Sequence, residues 1–270
     1  MKTDSIVLGR NSITQTKVKT VVDSWDNSVK VVKVFNRLIL EKKKRFVNID
    51  NSGMRSESAW DDALAELSHL KALNHPHVLE LLNVEESETK LKLYFPRHKH
   101  CVMTDVGCGK FHPTLGDQLT AQMIHRMICQ ISSALEYLNS ESVAHRDVKP
   151  NNILISFSNE FVLSDFGSAR AYRGFTRESP ATLAFFPPEI SCESHDPFKA
   201  DIWALGVSAW CCVFQSLPYE ADFDEPSSVL AAIASWDIQS DPRRSQIPSE
   251  LRELFRITLD RIAENRIYQT

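Results

Sequence analysis

Two short segments in the second half of the chain combine side chains that could carry out phosphoryl transfer. Residues 145–154 read HRDVKPNNIL, and residues 164–167 read SDFG. Such a transfer needs a carboxylate that orients the attacking hydroxyl, oxygen ligands that hold Mg²⁺ on the phosphates, and a cation that offsets the developing charge. Mg²⁺ prefers carboxylate and amide oxygens, so Asn152 and Asp165 are chemically suitable ligands. The two segments therefore predict a site for phosphoryl transfer.

The elements that would position these residues differ between the two parts of the chain. The first part is rich in Val, Ile and Thr and predicts strands, whereas the part from Asp117 onward has the apolar spacing of helices. The predicted strands are residues 6–8, 17–22, 29–35, 79–85, 91–95 and 101–106, and the predicted helices include residues 58–73 and 119–139. Residues 36–57 are polar and charged, and they predict an insertion that is functional or mobile.

Composition limits the class of protein. The chain has 270 residues, is 43% hydrophobic and 24% charged, and has a formal net charge of −4, which argues for a globular protein that binds no nucleic acid. No apolar signal segment follows the N-terminus, and the longest nearly apolar run, residues 202–214, is shorter than the ~20 residues that cross a bilayer. We therefore expect a soluble cytoplasmic protein without a membrane segment, a nuclear location being left open, with six reduced cysteines and a buried core helix at residues 202–214.

At its two motifs the chain resembles a eukaryotic protein kinase. The resemblance covers nearly the whole sequence and implies an α+β, bilobal protein kinase-like fold, with a small β-rich N-lobe that has one main helix and a larger helical C-lobe. We expect the N-lobe to comprise residues 1–106, with the insertion at about 36–57, and the C-lobe to comprise residues 107–270. Since the chain continues only to residue 270 after Arg266, we expect the final helix of the family to be missing or shortened.

The resemblance assigns catalytic roles in the second part of the chain. Asp147 would be the catalytic base, Lys149 would contact the γ-phosphate, and Asn152 and Asp165 would hold Mg²⁺. A lysine two residues after the aspartate resembles serine/threonine kinases rather than tyrosine kinases. The implied reaction is ATP- and Mg²⁺-dependent transfer of the γ-phosphoryl group to Ser or Thr hydroxyls of a protein substrate, in signalling.

The resemblance also implies a residue pair in the first part of the chain. Lys33 matches the strand lysine that binds the α- and β-phosphates, and Glu66 matches its ion-pair partner. Glu57, Asp61 and Asp62 are nearby alternatives to Glu66. The position of Glu66 relative to the end of the predicted helix favours it.

Further nucleotide contacts are implied on both parts of the chain. The matched residues are Leu8, Gly9, Thr16, Asp105, Val106 and Leu154. Thr104 would be the gatekeeper, or Met103 if the strand shifts by one residue, and the backbone of Asp105 and Val106 would face adenine. Leu154 would form part of the adenine floor.

Several matches concern the activation segment and its supports. Residues 187–189 resemble the end of that segment, and Arg266 resembles the buried arginine that pairs with Glu189. Asp201 would brace the catalytic loop, and Thr182 would line the substrate groove.

The activation segment itself offers sites for regulation. Arg146 is typical of kinases whose activation loop can be ordered by a phosphate. Thr176 and Ser179 are candidate acceptors, with ordinary polar loop residues as the alternative reading.

The glycine loop departs from the family pattern. Residues 9–14 read GRNSIT, so that only the first glycine is retained. Asn11 tolerates positive φ better than most residues, whereas the β-branched Thr14 does not, and we expect weakened ATP binding. This departure motivates the alternative of a pseudokinase that acts as a nucleotide-binding or scaffolding module, whereas the complete catalytic set favours an active kinase.

A subfamily resemblance concerns the insertion. Together with residues 172–174 and 210–219, it resembles calcium/calmodulin-dependent protein kinase kinases, although it lacks proline. Its basic run at residues 42–45 is either a solvated surface or a binding site for an acidic partner.

Overall fold

The computed structural model describes residues 7–10, 16–23, 27–49, 53–114, 119–178, 182–191 and 194–268. The chain divides into two compact units. The first comprises Met1–Asn74 and Leu79–Arg97, and the second comprises His75–Val78 and His98–Thr270. The chain enters the second unit briefly at His75–Val78 and passes to it for the last time between Arg97 and His98, whereas the sequence led us to expect the boundary between residues 106 and 107.

The first unit contains a five-stranded antiparallel sheet. Its elements are β1 (Val7–Arg10), β2 (Lys17–Val22), β3 (Val29–Asn36), α1 (Arg37–Leu40), β4 (Lys44–Ile49), β5 (Gly53–Ser58), α2 (Ala59–Ala72), β6 (Asn83–Glu86) and β7 (Lys90–Pro96). The strand order is β1-β2-β3-β7-β6, which makes β3 the central strand. The three predicted N-terminal strands are confirmed, whereas the predicted strand at residues 79–85 is restricted to β6.

Helix α2 is defined by strong local signals. The side chain of Ser58 accepts a hydrogen bond from the backbone of Asp61, and the side chain of Asp61 accepts one from the backbone of Ser58, which completes a capping box. Ala63, Leu67 and Leu70 recur at helical spacing and are buried. The helix predicted at residues 58–73 is therefore confirmed.

The insertion has regular secondary structure. It contains α1 and the antiparallel hairpin β4/β5, in which Lys44 is opposite Ser58. Lys42 and Lys44 are exposed, and the backbone oxygen of Lys43 accepts a hydrogen bond from the amide of Ala59 at the start of α2. The hairpin thus leads directly into the helix that carries Glu66.

The second unit is mainly helical. Its strands and helices are β8 (His100–Cys101), β9 (Met103–Gly107), β10 (Lys110–Pro113), α3 (Ala121–Ser140), β11 (Val143–Ala144), β12 (Ile153–Ile155), β13 (Phe161–Leu163), β14 (Arg170–Ala171), α4 (Pro197–Phe214), α5 (Pro226–Ser235) and α6 (Arg252–Thr258). Its short strands form the ladders β13-β12-β8, β10-β9 and β11-β14. The predicted helix at residues 119–139 corresponds to α3.

Helix α4 is the core helix that the apolar run predicts. The side chain of Asp196 caps its first turn, and Trp203 and Trp210 on the helix are completely buried. A Cβ atom on Gly206 would lie 2.7 Å from side-chain atoms of both Thr258 and Leu259. Glycine is therefore required here by the close approach of the chain at the end of α6. Among the residues described above, no helix has both the length and the apolar character needed to cross a membrane.

Candidate active site

The carboxylate of Asp147 lies at the centre of a hydrogen-bonded cluster in the second unit. Lys149 Nζ is 2.8 Å from Asp147 Oδ2, and the Thr182 hydroxyl donates to Asp147 Oδ1 over 2.5 Å. Lys149 Nζ also donates to Thr182 Oγ1 over 2.9 Å, so the three side chains form a closed triangle. This arrangement holds one carboxylate beside one ammonium group at a partly buried position, as a base next to a charge-neutralising cation requires.

Asn152 ties the catalytic loop to the second motif. Its Nδ2 atom donates to the backbone oxygen of Asp147 over 2.8 Å and to Asp147 Oδ2 over 3.0 Å. Its backbone oxygen accepts hydrogen bonds from the amide and the hydroxyl of Ser164, both over 2.8 Å. Because the amide nitrogen is directed at Asp147, the side-chain oxygen of Asn152 is the group that remains to coordinate a cation.

Asp165 is presented by an unusual backbone conformation. Its φ of 62° and ψ of 75° lie in the left-handed region, which a non-glycine residue adopts only when its surroundings hold it there. On one side, Ser164 is bonded to Asn152. On the other, the buried ring of Phe166 packs edge-on against His145, with the ring centroids 4.9 Å apart. The Asp165 side chain is exposed between these two anchors.

A buried histidine and a buried aspartate hold the catalytic loop in place. The backbone amides of His145 and Arg146 donate to the carboxylate of Asp201 over 2.7 Å and 2.8 Å. Burial raises the pKa of Asp201 to about 7, against the opposing effect of these two hydrogen bonds. His145 is completely buried, which lowers its pKa, and its Nε2 atom lies 3.0 Å from the backbone oxygen of Ser164. Asp201 therefore braces the loop as the resemblance implied.

Within the first unit, an ion pair joins β3 to α2. Lys33 on β3 is placed between Val18 and Leu93 of the neighbouring strands, and its Nζ atom is 2.7 Å and 3.0 Å from the two carboxylate oxygens of Glu66. The Glu66 side chain is only 3% exposed. Asp61 instead closes the capping box of α2. Glu66 is therefore the acid that pairs with Lys33.

The other expected nucleotide residues of the first unit are described only in part. Leu8 and Gly9 lie in β1, where Gly9 is opposite Val18, and Thr16 is buried just before β2. Residues 11–15, which include Asn11 and Thr14, lie outside the described part of the chain.

The segment that the sequence led us to expect near adenine lies on a hairpin of the second unit. Asp105 and Val106 are exposed on the hairpin β9/β10 within the second unit, and Val106 is 51% exposed. The strand of the five-stranded sheet that precedes the passage between units is β7, whereas β8 pairs with β12 through Cys101 and Leu154. Residues 91–95 and 101–106 are both short apolar segments, so their order in the sequence did not reveal which one belongs to the sheet.

Sequence reasoning missed one contact of the catalytic loop. Arg146 forms an ion pair with Glu178, an acidic residue of the activation segment that belongs to no recognised motif. The sequence also assigned Thr182 only to the substrate groove. In the structure, the hydroxyl of Thr182 contacts Asp147 and Lys149 directly.

The donor set of the second unit suits Mg²⁺. Asn152 and Asp165 offer an amide oxygen and a carboxylate, both hard ligands, and Mg²⁺ is usually held by one or two such groups together with substrate phosphates. Within the described ranges, no group of three or more His, Cys, Asp or Glu side chains could hold a metal by itself. The residues therefore fit a cation that arrives with a phosphate ligand.

Comparison with known proteins agrees with this site. The chain belongs to the protein kinase domain family, which it matches over residues 14–269. The relatives described below are named serine/threonine kinases, and the chain has the protein kinase fold that the resemblance implied. Their names do not favour the pseudokinase alternative.

Individual relatives are moderately similar. A probable serine/threonine-protein kinase of Dictyostelium discoideum is 26% identical over 256 residues, which are 93% of this chain and 34% of the relative. Human serine/threonine-protein kinase STK11 is 31% identical over 218 residues, which are 76% of this chain and 46% of that protein. Caenorhabditis elegans serine/threonine-protein kinase par-4 is 28% identical over 212 residues, 76% of this chain and 32% of that protein. The chain thus spans between 32% and 46% of the length of these relatives.

Proposed function

We propose that this domain transfers the γ-phosphoryl group of ATP to a Ser or Thr hydroxyl of a protein substrate, as a step in signalling. The observation that carries the proposal is the closed triangle of Asp147, Lys149 and Thr182. Asp147 would orient the incoming hydroxyl and accept its proton, and Lys149 would offset the charge that develops on the transferred group. Thr182 would keep both side chains in position.

Asn152 and Asp165 would hold Mg²⁺, since both present hard oxygen ligands and both are anchored to the loop around Ser164. When bound, the ion offsets negative charge on the phosphates of ATP. The residues of the chain hold these ligands and the base in position. The hydrogen bonds from Asn152 to Asp147 couple the ligand to the base, and the packing of Phe166 on His145 supports Asp165.

For the nucleotide itself, we propose that Lys33 contacts the phosphates while Glu66 holds it in place. Leu8, Gly9 and Thr16 remain proposed contacts of the same nucleotide. Around the adenine, Leu154 remains a proposed contact. In place of Asp105 and Val106, we propose the segment that pairs with the strand of Leu154. His98 and Lys99 lead directly into the strand that pairs with β12, and the amide of Lys99 donates to the backbone oxygen of Ile155 over 2.8 Å. The chain beside Leu154 is therefore the segment 99–102.

Partners and location follow from this chemistry. The exposed Lys42 and Lys44 near the hairpin β4/β5 support our proposal that the basic run at residues 42–45 binds acidic residues of the substrate or of another partner. If so, the double variant Lys42→Glu/Lys44→Glu raises KM for an acidic peptide more than for a neutral one, whereas Lys71→Glu on α2 changes neither. We also propose a cytoplasmic location, with the nucleus as the alternative, which a fluorescent fusion can test.

The decisive experiment compares phosphoryl transfer by the wild-type chain with that of Asp147→Asn. We expect the rate to fall by about 10²- to 10⁴-fold, the usual contribution of a positioned acid or base. Asp224→Asn, at an exposed position, is the matched control and should retain full activity. Thermal stabilisation by Mg·ATP should persist in Asp147→Asn, since a ligand that binds only the folded state raises its apparent stability. Unchanged transfer by Asp147→Asn, or a wild type without transfer or stabilisation, would refute the proposal.

A further inference from the structure

One carboxylate of the activation segment joins that segment to the catalytic loop. Arg146 Nη1 lies 3.0 Å from Glu178 Oε2, and the hydroxyl of Tyr172 donates to the same oxygen over 2.6 Å. The guanidinium of Arg146 also lies over the Tyr172 ring, 5.7 Å from its centroid. The Arg146 side chain is 13% exposed, whereas Glu178 is 46% exposed. Glu178 thus approaches from the solvent side and meets a largely buried cation.

Arg146 is directly coupled to the catalytic base. Its φ of 67° is left-handed, a conformation that a long side chain adopts only when its neighbours maintain it. Its amide is bonded to Asp201, and the next residue is Asp147. The contact with Glu178 acts on the side chain of the same residue. Whatever holds that guanidinium therefore helps to keep the backbone that presents Asp147 in place.

The neighbouring threonine is already engaged in the folded structure. The amide and carbonyl of Thr176 exchange hydrogen bonds with those of His195, both over 2.9 Å, and Thr176 Oγ1 accepts from the amide of Glu178 over 3.0 Å. Thr176 is only 9% exposed. A phosphate on this hydroxyl would require the segment to open first. Ser179, the other candidate acceptor, lies outside the described residues.

We propose that Glu178 is a positioning residue for phosphoryl transfer. It supplies on the activation segment the negative charge that Arg146 binds, so the catalytic loop is ordered without a phosphate on Thr176. A phosphate at such a position acts by pairing with arginine, and a carboxylate offers the guanidinium a negative charge and oxygen acceptors as well. This inference rests on the proposed function, because it assigns a role in the reaction that Asp147 would carry out.

The test uses the chain after treatment with a protein phosphatase, with the absence of phosphate at Thr176 verified by mass spectrometry. We expect this wild-type chain to remain active. Glu178→Gln should lower kcat about three- to tenfold while the midpoint of thermal stabilisation by Mg·ATP stays unchanged, and Glu178→Asp should recover part of the loss. Trypsin should also cleave Glu178→Gln faster after Arg173 and Arg177. Glu253→Gln, which removes another exposed carboxylate from an ion pair with Arg256, should have none of these effects.

Two results would overturn the inference. One is a dephosphorylated wild type that gains activity only when Thr176 is phosphorylated. The other is a Glu178→Gln variant whose kcat equals that of the wild type. A wild-type chain that transfers no phosphate in either state would instead contradict the proposed function, so the two failures are distinguishable.

Discussion

Arg266 and Glu189 are 77 residues apart in the sequence and form a two-pronged ion pair, with N–O distances of 2.6 Å and 2.8 Å. Arg266 is completely buried, lies over the ring of Trp203 and donates from Nε to the backbone oxygen of Asp260. The end of the activation segment is thereby joined to helix α4 and to the segment that follows α6. The sequence resemblance predicted this pair, and the structure shows what surrounds it.

Removing one member of this pair should destabilise the second unit. We expect Arg266→Ala to lower the free energy of unfolding by about 3–5 kcal/mol, because it leaves Glu189 without its buried partner. Arg266→Lys should rescue it only in part, since an ammonium cannot reproduce the planar fork. Urea denaturation measures both. The control is Arg256→Ala, whose exposed pair with Glu253 should contribute little to stability because water screens it. Equal losses for Arg266→Ala and Arg256→Ala would contradict this prediction.

The pair Lys33–Glu66 should have separable roles in stability and nucleotide binding. Lys33→Met removes the ammonium group that pairs with the buried carboxylate of Glu66, which should cost about 3–5 kcal/mol of stability. The double variant Lys33→Met/Glu66→Leu should recover most of that stability, because both charges are then absent. It should still bind Mg·ATP weakly. Recovery of nucleotide affinity along with stability, measured by calorimetry and chemical denaturation, would argue against a phosphate contact for Lys33.

Thr182 should act through its hydroxyl. Thr182→Ala removes hydrogen bonds to two charged groups, and we expect kcat to fall by about tenfold or more, since bonds to charged groups contribute about 1.5–3 kcal/mol. Thr182→Ser retains the hydroxyl and should keep most of the activity. Steady-state kinetics on one peptide substrate provide the measurement. If Ser and Ala variants lose activity equally, the methyl group and not the hydroxyl is what matters.

The buried His145 predicts an acid-sensitive fold. Burial lowers its pKa in the folded state, so below the ordinary value of about 6.5 the unfolded chain binds the extra proton more readily than the folded one. Its contribution to stability is therefore present above that value and is lost as the pH falls. We expect the difference in unfolding free energy between the wild type and His145→Gln to shrink from pH 7 to pH 5. Taking the difference between the two proteins cancels the pH dependence of the groups that both contain. If this difference in unfolding free energy is the same at pH 7 and pH 5, the lowered pKa of His145 is refuted.

The revised adenine contacts give a fifth prediction. Val106 is exposed on the hairpin β9/β10, so Val106→Ser should leave KM for ATP unchanged. Leu154→Ala should raise it several-fold by removing apolar contact with the base. An increase for Val106→Ser together with no change for Leu154→Ala would restore the original assignment of the hinge to residues 104–106.

Much of the fold could be predicted because its signals are local. The capping box of Ser58 and Asp61 and the apolar spacing in α2 lie within one helix. The run at residues 202–214 is apolar on all sides, which indicates a buried helix before any partner is known. The assignment of strands was less certain, since residues 91–95 and 101–106 have similar character and only hydrogen-bond pairing distinguishes them.

The sequence by itself determined which groups could perform the chemistry. Asp147, Lys149 and Asn152 lie within one loop, and their types and spacing are sufficient to indicate phosphoryl transfer. Only the tertiary structure decided between Glu66 and its neighbouring acids as the partner of Lys33, placed the last passage to the second unit after Arg97, and showed that Glu178 binds Arg146. These contacts join segments distant in the chain, and their formation depends on burial and backbone pairing across the whole fold, which no short pattern of residues encodes.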